Sequence, residues 1–199
     1  MSDHYYSKNP TSKKEERDFE VMVRGEKLSF QTDAGVFSKK GLDFGSRFLI
    51  ESVDLEGIRH LLDLGCGYGP IGLSIAKMNP NIHITMVDIN ERAVELAKKN
   101  AVYNRLSERV NIFVSDRFEK VAGMKFDCIL LNPPIRTGKA VIYQMFAEAK
   151  KHLHDSGSFW IVIRKQQGAE SACTELHDLF PSVEVVERKK GYWVIRAGF

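Results

Sequence analysis

The chain has 199 residues, of which 43% are hydrophobic and 28% charged, and a formal net charge of +3. These proportions suit a globular domain with a core of its own and exclude a low-complexity or strongly polyanionic chain. No apolar run approaches the roughly 20 residues that span a bilayer. The amino terminus lacks a charged-then-apolar leader, and Cys66, Cys128 and Cys173 are too far apart for a metal motif or disulfide framework. A cytoplasmic protein with no membrane and no metal is expected.

Residues 1–18 are polar and charge-mixed, broken by Pro10, and are expected to form a flexible amino-terminal tail ahead of a single domain over 19–199. Phe19, Val21 and Val23, then Leu28 and Phe30, alternate on either side of Gly25-Glu26, which predicts a β-hairpin over Phe19–Thr32. A loop follows over Thr32–Ser38, and a helix is expected from near Gly41 through Val53. A regular alternation comes next: strand His60–Leu64, helix Ile71–Met78, strand Ile82–Val87, helix Glu91–Asn104 capped by Asn90, and strands Val110–Val114 and Phe126–Leu131. Helix Ala140–Leu153, strand Ser158–Ile163 and helix Ala169–Leu179 complete it, and Val183–Val186 and Tyr192–Ala197 face each other across Lys190-Gly191. Strands alternating with helices predict an α/β, doubly wound, mostly parallel sheet. The last two strands leave no room for a crossover helix and must be antiparallel.

Asp63-Leu64-Gly65-Cys66-Gly67-Tyr68-Gly69 leaves the first strand of this alternation and opens a helix. It is not a dinucleotide fingerprint, because the third glycine that fingerprint needs is replaced by Pro70. A carboxylate just ahead of the loop disfavours a pyrophosphate and favours a ligand with positive centres, such as S-adenosylmethionine with its sulfonium and ammonium groups. Asp88 ends the second strand and can accept hydrogen bonds from ribose hydroxyls. Asp116 ends the third and can accept from an adenine amino group, with Phe118 lining the ring. Singly, each aspartate reads as a cap or loop carboxylate; together they argue for one nucleoside-shaped ligand across one sheet edge.

Asn132-Pro133-Pro134-Ile135 falls at the end of the fourth strand, where two prolines stop the chain because neither has an N–H to donate. The Asn132 amide oxygen and the Pro133 carbonyl can each accept a hydrogen of a target NH2, holding a delocalised, poorly nucleophilic nitrogen with its lone pair aimed at a methyl donor. No cysteine accompanies this motif, so covalent attack on a pyrimidine is unsupported. His152 and His154 are two apart on a helix and make no metal pair.

These residues resemble class I S-adenosylmethionine-dependent methyltransferases that act on NH2 groups. Gly35-Val36-Phe37-Ser38 with Gly41-Leu42-Asp43-Phe44-Gly45-Ser46, and Asn132 through Lys139, are similar to single-domain members of the RsmC-type small-subunit ribosomal RNA guanine-N2 methyltransferases, the small-domain group. The resemblance implies a Rossmann-like methyltransferase fold, a seven-stranded sheet with an antiparallel last strand, here preceded by the amino-terminal hairpin. It implies that Asp63, Gly65 and Gly67 contact the methionine part of S-adenosylmethionine, Asp88 the ribose, and Asp116 the adenine. Asn132, Pro133, Pro134 and Ile135 would form the catalytic loop, and Phe37 and Asp43 would close over the cofactor.

This chain departs from the pattern twice. Many amine methyltransferases carry an aromatic residue after Asn-Pro-Pro, where this chain has Ile135. Base–aromatic stacking contributes about 1–3 kcal/mol per base, so another residue, such as Phe37, would have to supply it. RsmC-type enzymes also typically have two such domains, so RNA would here be held by the tail, by self-association or by the ribosomal particle. Arg136, Lys139, Arg164 and Lys165 are expected near the active edge as contacts to RNA phosphates, whereas Lys189 and Lys190 read as solvated charge. The expected partner is ribosomal RNA or the small ribosomal subunit. The alternatives are the same chemistry on protein glutamine, adenine or a small molecule, or a non-catalytic cofactor- or RNA-binding module.

Overall fold

The computed structural model describes residues 16–33 and 41–199. A seven-stranded sheet has the order β5-β4-β3-β6-β7-β9-β8, built from β3 (His60–Leu64), β4 (His83–Asp88), β5 (Val110–Val114), β6 (Phe126–Leu131), β7 (Leu153–Arg164), β8 (Ser182–Lys189) and β9 (Tyr192–Gly198). All pairs from β5 through β7 are parallel, and β9 runs antiparallel between β7 and β8. The expected Rossmann-like sheet with its antiparallel last strand is thus the observed one. β7 is longer than the apolar run Ser158–Ile163, because its polar start reaches back to Leu153, which pairs with Phe126.

Helices cover both faces. α1 (Phe44–Ser52), α2 (Pro70–Met78) and α3 (Glu91–Tyr103) bury one face around Leu61, Ile84, Leu130 and Val162. α4 (Lys139–Lys151) and α5 (Ala169–Leu179) bury the other around Leu62, Leu131, Phe159 and Ile195. Strand alternation explains the split, since neighbouring residues of one strand point to opposite faces. The strand order reverses beside β3, with β4 on one flank and β6 on the other. A crevice opens at such a point, outside the carboxyl ends of the strands.

The amino-terminal hairpin pairs β1 (Arg17–Val23) with β2 (Glu26–Thr32) across Arg24-Gly25, both at positive φ (46° and 84°), the geometry of a two-residue hairpin turn. β1 begins at Arg17, two residues earlier than the sequence pattern and inside the tail expected over 1–18, whose first 15 residues lie outside the described residues. β2 is joined to α3 by side-chain amides. Asn104 Oδ1 accepts from Ser29 N (3.0 Å) and its Nδ2 donates to Ser29 O (2.7 Å). Asn100 does the same with Gln31, at 2.7 and 2.9 Å. One turn apart on α3, these asparagines satisfy the free edge of β2 as a third strand would. Asn100 also donates to Tyr68 O (2.8 Å), so the hairpin buttresses the glycine loop.

Candidate functional site

A cavity of about 160 Å³ opens at the carboxyl ends of β3, β4, β5 and β6. Its wall is mostly apolar and brings together Gly65, Gly67, Asp88, Asp116, Asn132, Pro133 and Pro134. Seven residues that the sequence singled out separately thus share one site.

The loop after β3 is fixed by backbone bonds to its neighbours. Gly65 N and Cys66 N both donate to Val87 O, at 2.8 and 2.9 Å. Asp88 Oδ2 accepts from Gly67 N (2.8 Å), and Asp88 Oδ1 from Asn90 N (2.9 Å). Gly67 has φ 57°, and a Cβ there would meet nothing within 4 Å, so its glycine satisfies the backbone and leaves the space above the loop clear. At Gly69 (φ 94°) a Cβ would come within 2.8 Å of Leu73 Cδ1. Pro70 then opens α2 at a position where its missing N–H has no consequence. The residue that spoils the dinucleotide fingerprint is therefore a helix starter.

Asp63 lies beneath the loop, 1% exposed, and is not on the cavity wall. Its Oδ2 accepts from Gly72 N (2.8 Å), while its Oδ1 is buried without a partner among the described residues. Burial, and to a smaller degree the nearby charge of Asp88, raises its pKa to about 7. Burial likewise raises that of Asp88. The Cys66 and Cys128 thiols are also pushed up by burial, Cys128 to about 12, so neither supplies a thiolate. Asp63, Asp88 and the exposed Asp116 make this an acidic site. The one basic wall residue among the described residues, Arg117, is already engaged by Asp116 (3.1 Å) and Glu148 (3.4 Å). The carboxylates of Asp88 and Asp116 on a mostly apolar wall, with the buried Asp63 oxygen beneath the loop, fit a ligand with positive centres and oppose a phosphate.

On the opposite wall Asn132 Nδ2 donates to Ser46 Oγ (3.1 Å) and lies 3.5 Å from Asp43 Oδ1. Asp43 also caps α1, accepting from Ser46 N at 2.9 Å. A carboxylate only accepts, so the NH2 end of Asn132 faces Asp43. The amide oxygen, which has no protein partner among the described residues, is left for a ligand. Gly45 permits this approach: a Cβ there would lie 3.0 Å from Tyr192 Cε1 and 3.2 Å from Asp43 Oδ1. Behind the motif, Thr137 closes the loop on Pro134 O through both its N (2.9 Å) and its Oγ1 (2.8 Å).

Several of the singled-out residues lie off the cavity wall. Phe118 does not line the cavity; it is 4% exposed and stacks on His152, ring centroids 4.5 Å apart. Arg117, at φ 48°, turns the chain inward just after Asp116 and sends the next side chain into the core. Ile135 also packs against that core, and Thr137, Val141 and Met145 from the motif's loop and α4 take the wall position. Arg136 is exposed, Lys139 donates to Ser171 Oγ (3.1 Å), Lys165 pairs with Glu170 (3.4 Å), and none of these three is on the wall. Phe37 lies outside the described residues. Sequence reading missed Ser46 and Arg117; the position of Ser46 three residues after Asp43, as in a helix cap, was the only signal for the first.

The methyltransferase small domain family model matches residues 27–196. An uncharacterized protein, YbxB, of Bacillus subtilis is 48% identical over 199 residues, covering 99% of this chain and 98% of that protein. The ribosomal RNA small subunit methyltransferase C of Haemophilus influenzae is 40% identical over 141 residues, covering 69% of this chain and 42% of its own length. Among solved structures, the T. thermophilus 16S rRNA N2 G1207 methyltransferase (RsmC), in complex with AdoMet and guanosine, superposes with a TM-score of 0.82 at 27% identity. That match covers 92% of this chain and 50% of the other. The chain thus spans nearly all of the Bacillus protein but about half the length of the ribosomal RNA methyltransferases it matches. With the glycine loop, the strand-end carboxylates and Asn-Pro-Pro gathered around one cavity, the chain belongs to the methyltransferase small domain family and is an S-adenosylmethionine-dependent methyltransferase.

Proposed function

We propose that this enzyme methylates the exocyclic N2 amine of a guanine in ribosomal RNA. The observation that carries the reading is the fixed amide of Asn132. Its NH2 is bound by Ser46 and faces Asp43, so its oxygen is the group offered to an acceptor. Two acceptors, the Asn132 oxygen and the Pro133 carbonyl, match the two hydrogens of an NH2, whereas a hydroxyl has one to give. S-adenosylmethionine, when bound, supplies an electrophilic methyl group. Asn132 Oδ1 and the Pro133 carbonyl each accept one hydrogen of the target NH2, which fixes the nitrogen and turns its lone pair toward the donor side of the cavity. No strong base is needed before transfer, because the nitrogen becomes acidic only as the new bond forms. The guanine must be unpaired or flipped out to enter. The names of the Haemophilus and T. thermophilus relatives support ribosomal RNA, and the guanosine bound in the latter supports the base.

The deciding experiment incubates the protein and labelled S-adenosylmethionine with naked small-subunit rRNA, assembled small subunits, or protein extract. Label in RNA, recovered as N2-methylguanosine on nucleoside analysis, is the expected result. Label in protein alone overturns the substrate reading while leaving the chemistry of Asn132 in place.

A further inference from the structure

Resting on the ribosomal RNA reading above, we infer that the tip of the β8–β9 hairpin, with Arg164 and the first turn of α1, is the surface that grips the RNA strand flanking the target base. Arg188, Lys189 and Lys190 follow one another at the end of β8 and its turn, and all three are exposed. From sequence the two lysines look like ordinary solvated charge. The fold gives them a location. β9 is antiparallel to β7, so its start and the hairpin turn lie at the same carboxyl edge of the sheet as Asn132. β9 is two strands from β6, and strands are spaced about 4.8 Å apart, which puts Tyr192 roughly 10 Å along the edge from Asn132. The hairpin tip beyond Tyr192 is thus within reach of the nucleotides that flank the target base.

The cations are also held in place. Lys190 Nζ lies 5.0 Å from the ring centroid of Phe44, and Arg164 Cζ 4.7 Å from that of Tyr192. Arg188 Cζ is 4.2 Å from the ring of Trp193, on the other face of the hairpin. The two rings on the Asn132 side pack together at 5.2 Å, and Tyr192 reaches Asn132's own support through Gly45. Lys165 N donates to Gly191 O (2.8 Å), which ties the end of β7 to the turn. Lys190 itself has φ 49°, in a two-residue turn where Asn, Asp or Gly is the favoured occupant. A lysine held there against backbone preference suits a role for its charge. Single-stranded RNA is recognised by this combination, positive heads along the backbone with aromatic and guanidinium planes for unstacked bases. The tip thus offers planar groups to the bases that flank the target.

Two exposed lysines away from this edge, Lys98 and Lys151, serve as the control. The Lys189→Glu/Lys190→Glu and Lys98→Glu/Lys151→Glu double variants are compared with the wild type for binding of a short single-stranded RNA of mixed sequence, binding of S-adenosylmethionine, and transfer to small-subunit rRNA. The hairpin variant is expected to lose about tenfold or more in RNA affinity and to flatten the salt dependence of log K by about 1.4, the loss of two single-strand phosphate contacts. Its KM for rRNA should rise, with kcat at saturating RNA and cofactor affinity retained, and the control should track the wild type. If the hairpin variant binds RNA as the wild type does, or if both variants weaken equally, the assignment of this surface is overturned while the rRNA reading stands. If the wild type itself places no label in RNA, the substrate reading fails first and takes the role of the hairpin with it.

Discussion

On the cofactor side of the cavity, main-chain amides are tied to carboxylates: Gly67 N to Asp88 and Gly72 N to Asp63. On the acceptor side, Asn132 is held by side chains alone, Ser46 and Asp43, which precede it by 86 and 89 residues. The first arrangement fixes the loop through its own backbone amides, held by the adjacent strand β4 and by Asn100. The second depends on α1 being brought against the end of β6, with Gly45 as the one residue small enough to sit between them. A charged ligand needs a rigid, acidic receiver, and backbone-to-carboxylate bonds supply one. An acceptor amine needs a single oriented oxygen, which a side-chain network can set and a single substitution can disturb. The two sides should therefore respond to mutation through different constants.

The largest effect belongs to Asn132→Ala. Removing one pre-aligned transition-state hydrogen-bonding group typically lowers kcat about 10²–10³-fold, and cofactor affinity should stay within about twofold, since the cofactor loop does not lean on Asn132. Single-turnover transfer to rRNA and calorimetric cofactor binding measure the two separately. A parallel collapse of both would show that the two sides are not independent.

Asp63→Asn probes the cofactor side. With its pKa raised from 3.8 to about 7, Asp63 keeps in the folded protein a proton that the unfolded chain has lost. Folded stability without cofactor therefore falls as pH rises from about 4 to about 7 and levels off above that. A cationic ligand favours the ionised form, so binding should release protons at pH 6 and few at pH 8, read from calorimetry in buffers of different ionisation enthalpy. Asparagine cannot ionise, so the variant should bind S-adenosylmethionine about 10- to 100-fold more weakly, the worth of a charged hydrogen bond. Its affinity should lose its pH dependence, and its melting temperature at pH 8 should exceed that of the wild type. An unchanged pH profile in the variant would remove Asp63 from cofactor binding.

Asp43→Asn tests how the acceptor side is oriented. Asn and Asp cap helices equally well, so α1 should survive. An asparagine can present either end to Asn132, which loses its acceptor-only neighbour. A fall in kcat of about tenfold is expected, in keeping with the sensitivity of aligned transfer to small misplacements, with cofactor affinity and melting temperature retained. If kcat falls only in proportion to lost folded protein, Asp43 is a cap and nothing more.

The same contrast explains what could be read from the residues alone. The sheet and its helices follow from apolar runs and their spacing; His60–Leu64, Val110–Val114, Phe126–Leu131 and Ala169–Leu179 have the observed bounds. The glycine loop and the strand-end aspartates are legible because each stands at the end of a strand that its own apolar run marks in the sequence. Ser46 is illegible as a partner of Asn132 because the contact exists only after the fold has formed. Asn100 and Asn104 look like ordinary helix residues until β2 is laid beside them. The cations of the β8–β9 tip look solvated until the antiparallel course of β9 brings them to the active edge.

Phe118→Leu carries the smallest expected change and separates proximity in sequence from proximity in space. Two residues after Asp116, the ring is expected from the sequence to lie on an adenine. The positive φ of Arg117 instead rotates it into the core, stacked on His152 at an interplanar angle of 15° and packed with Val121 and Phe126. Leucine should fill most of that space at a cost of about 1–2 kcal/mol, as for buried substitutions of similar volume. This would be read as a lower denaturation midpoint, with S-adenosylmethionine affinity within about twofold of the wild type. A tenfold loss of cofactor affinity at unchanged stability would return the ring to the adenine.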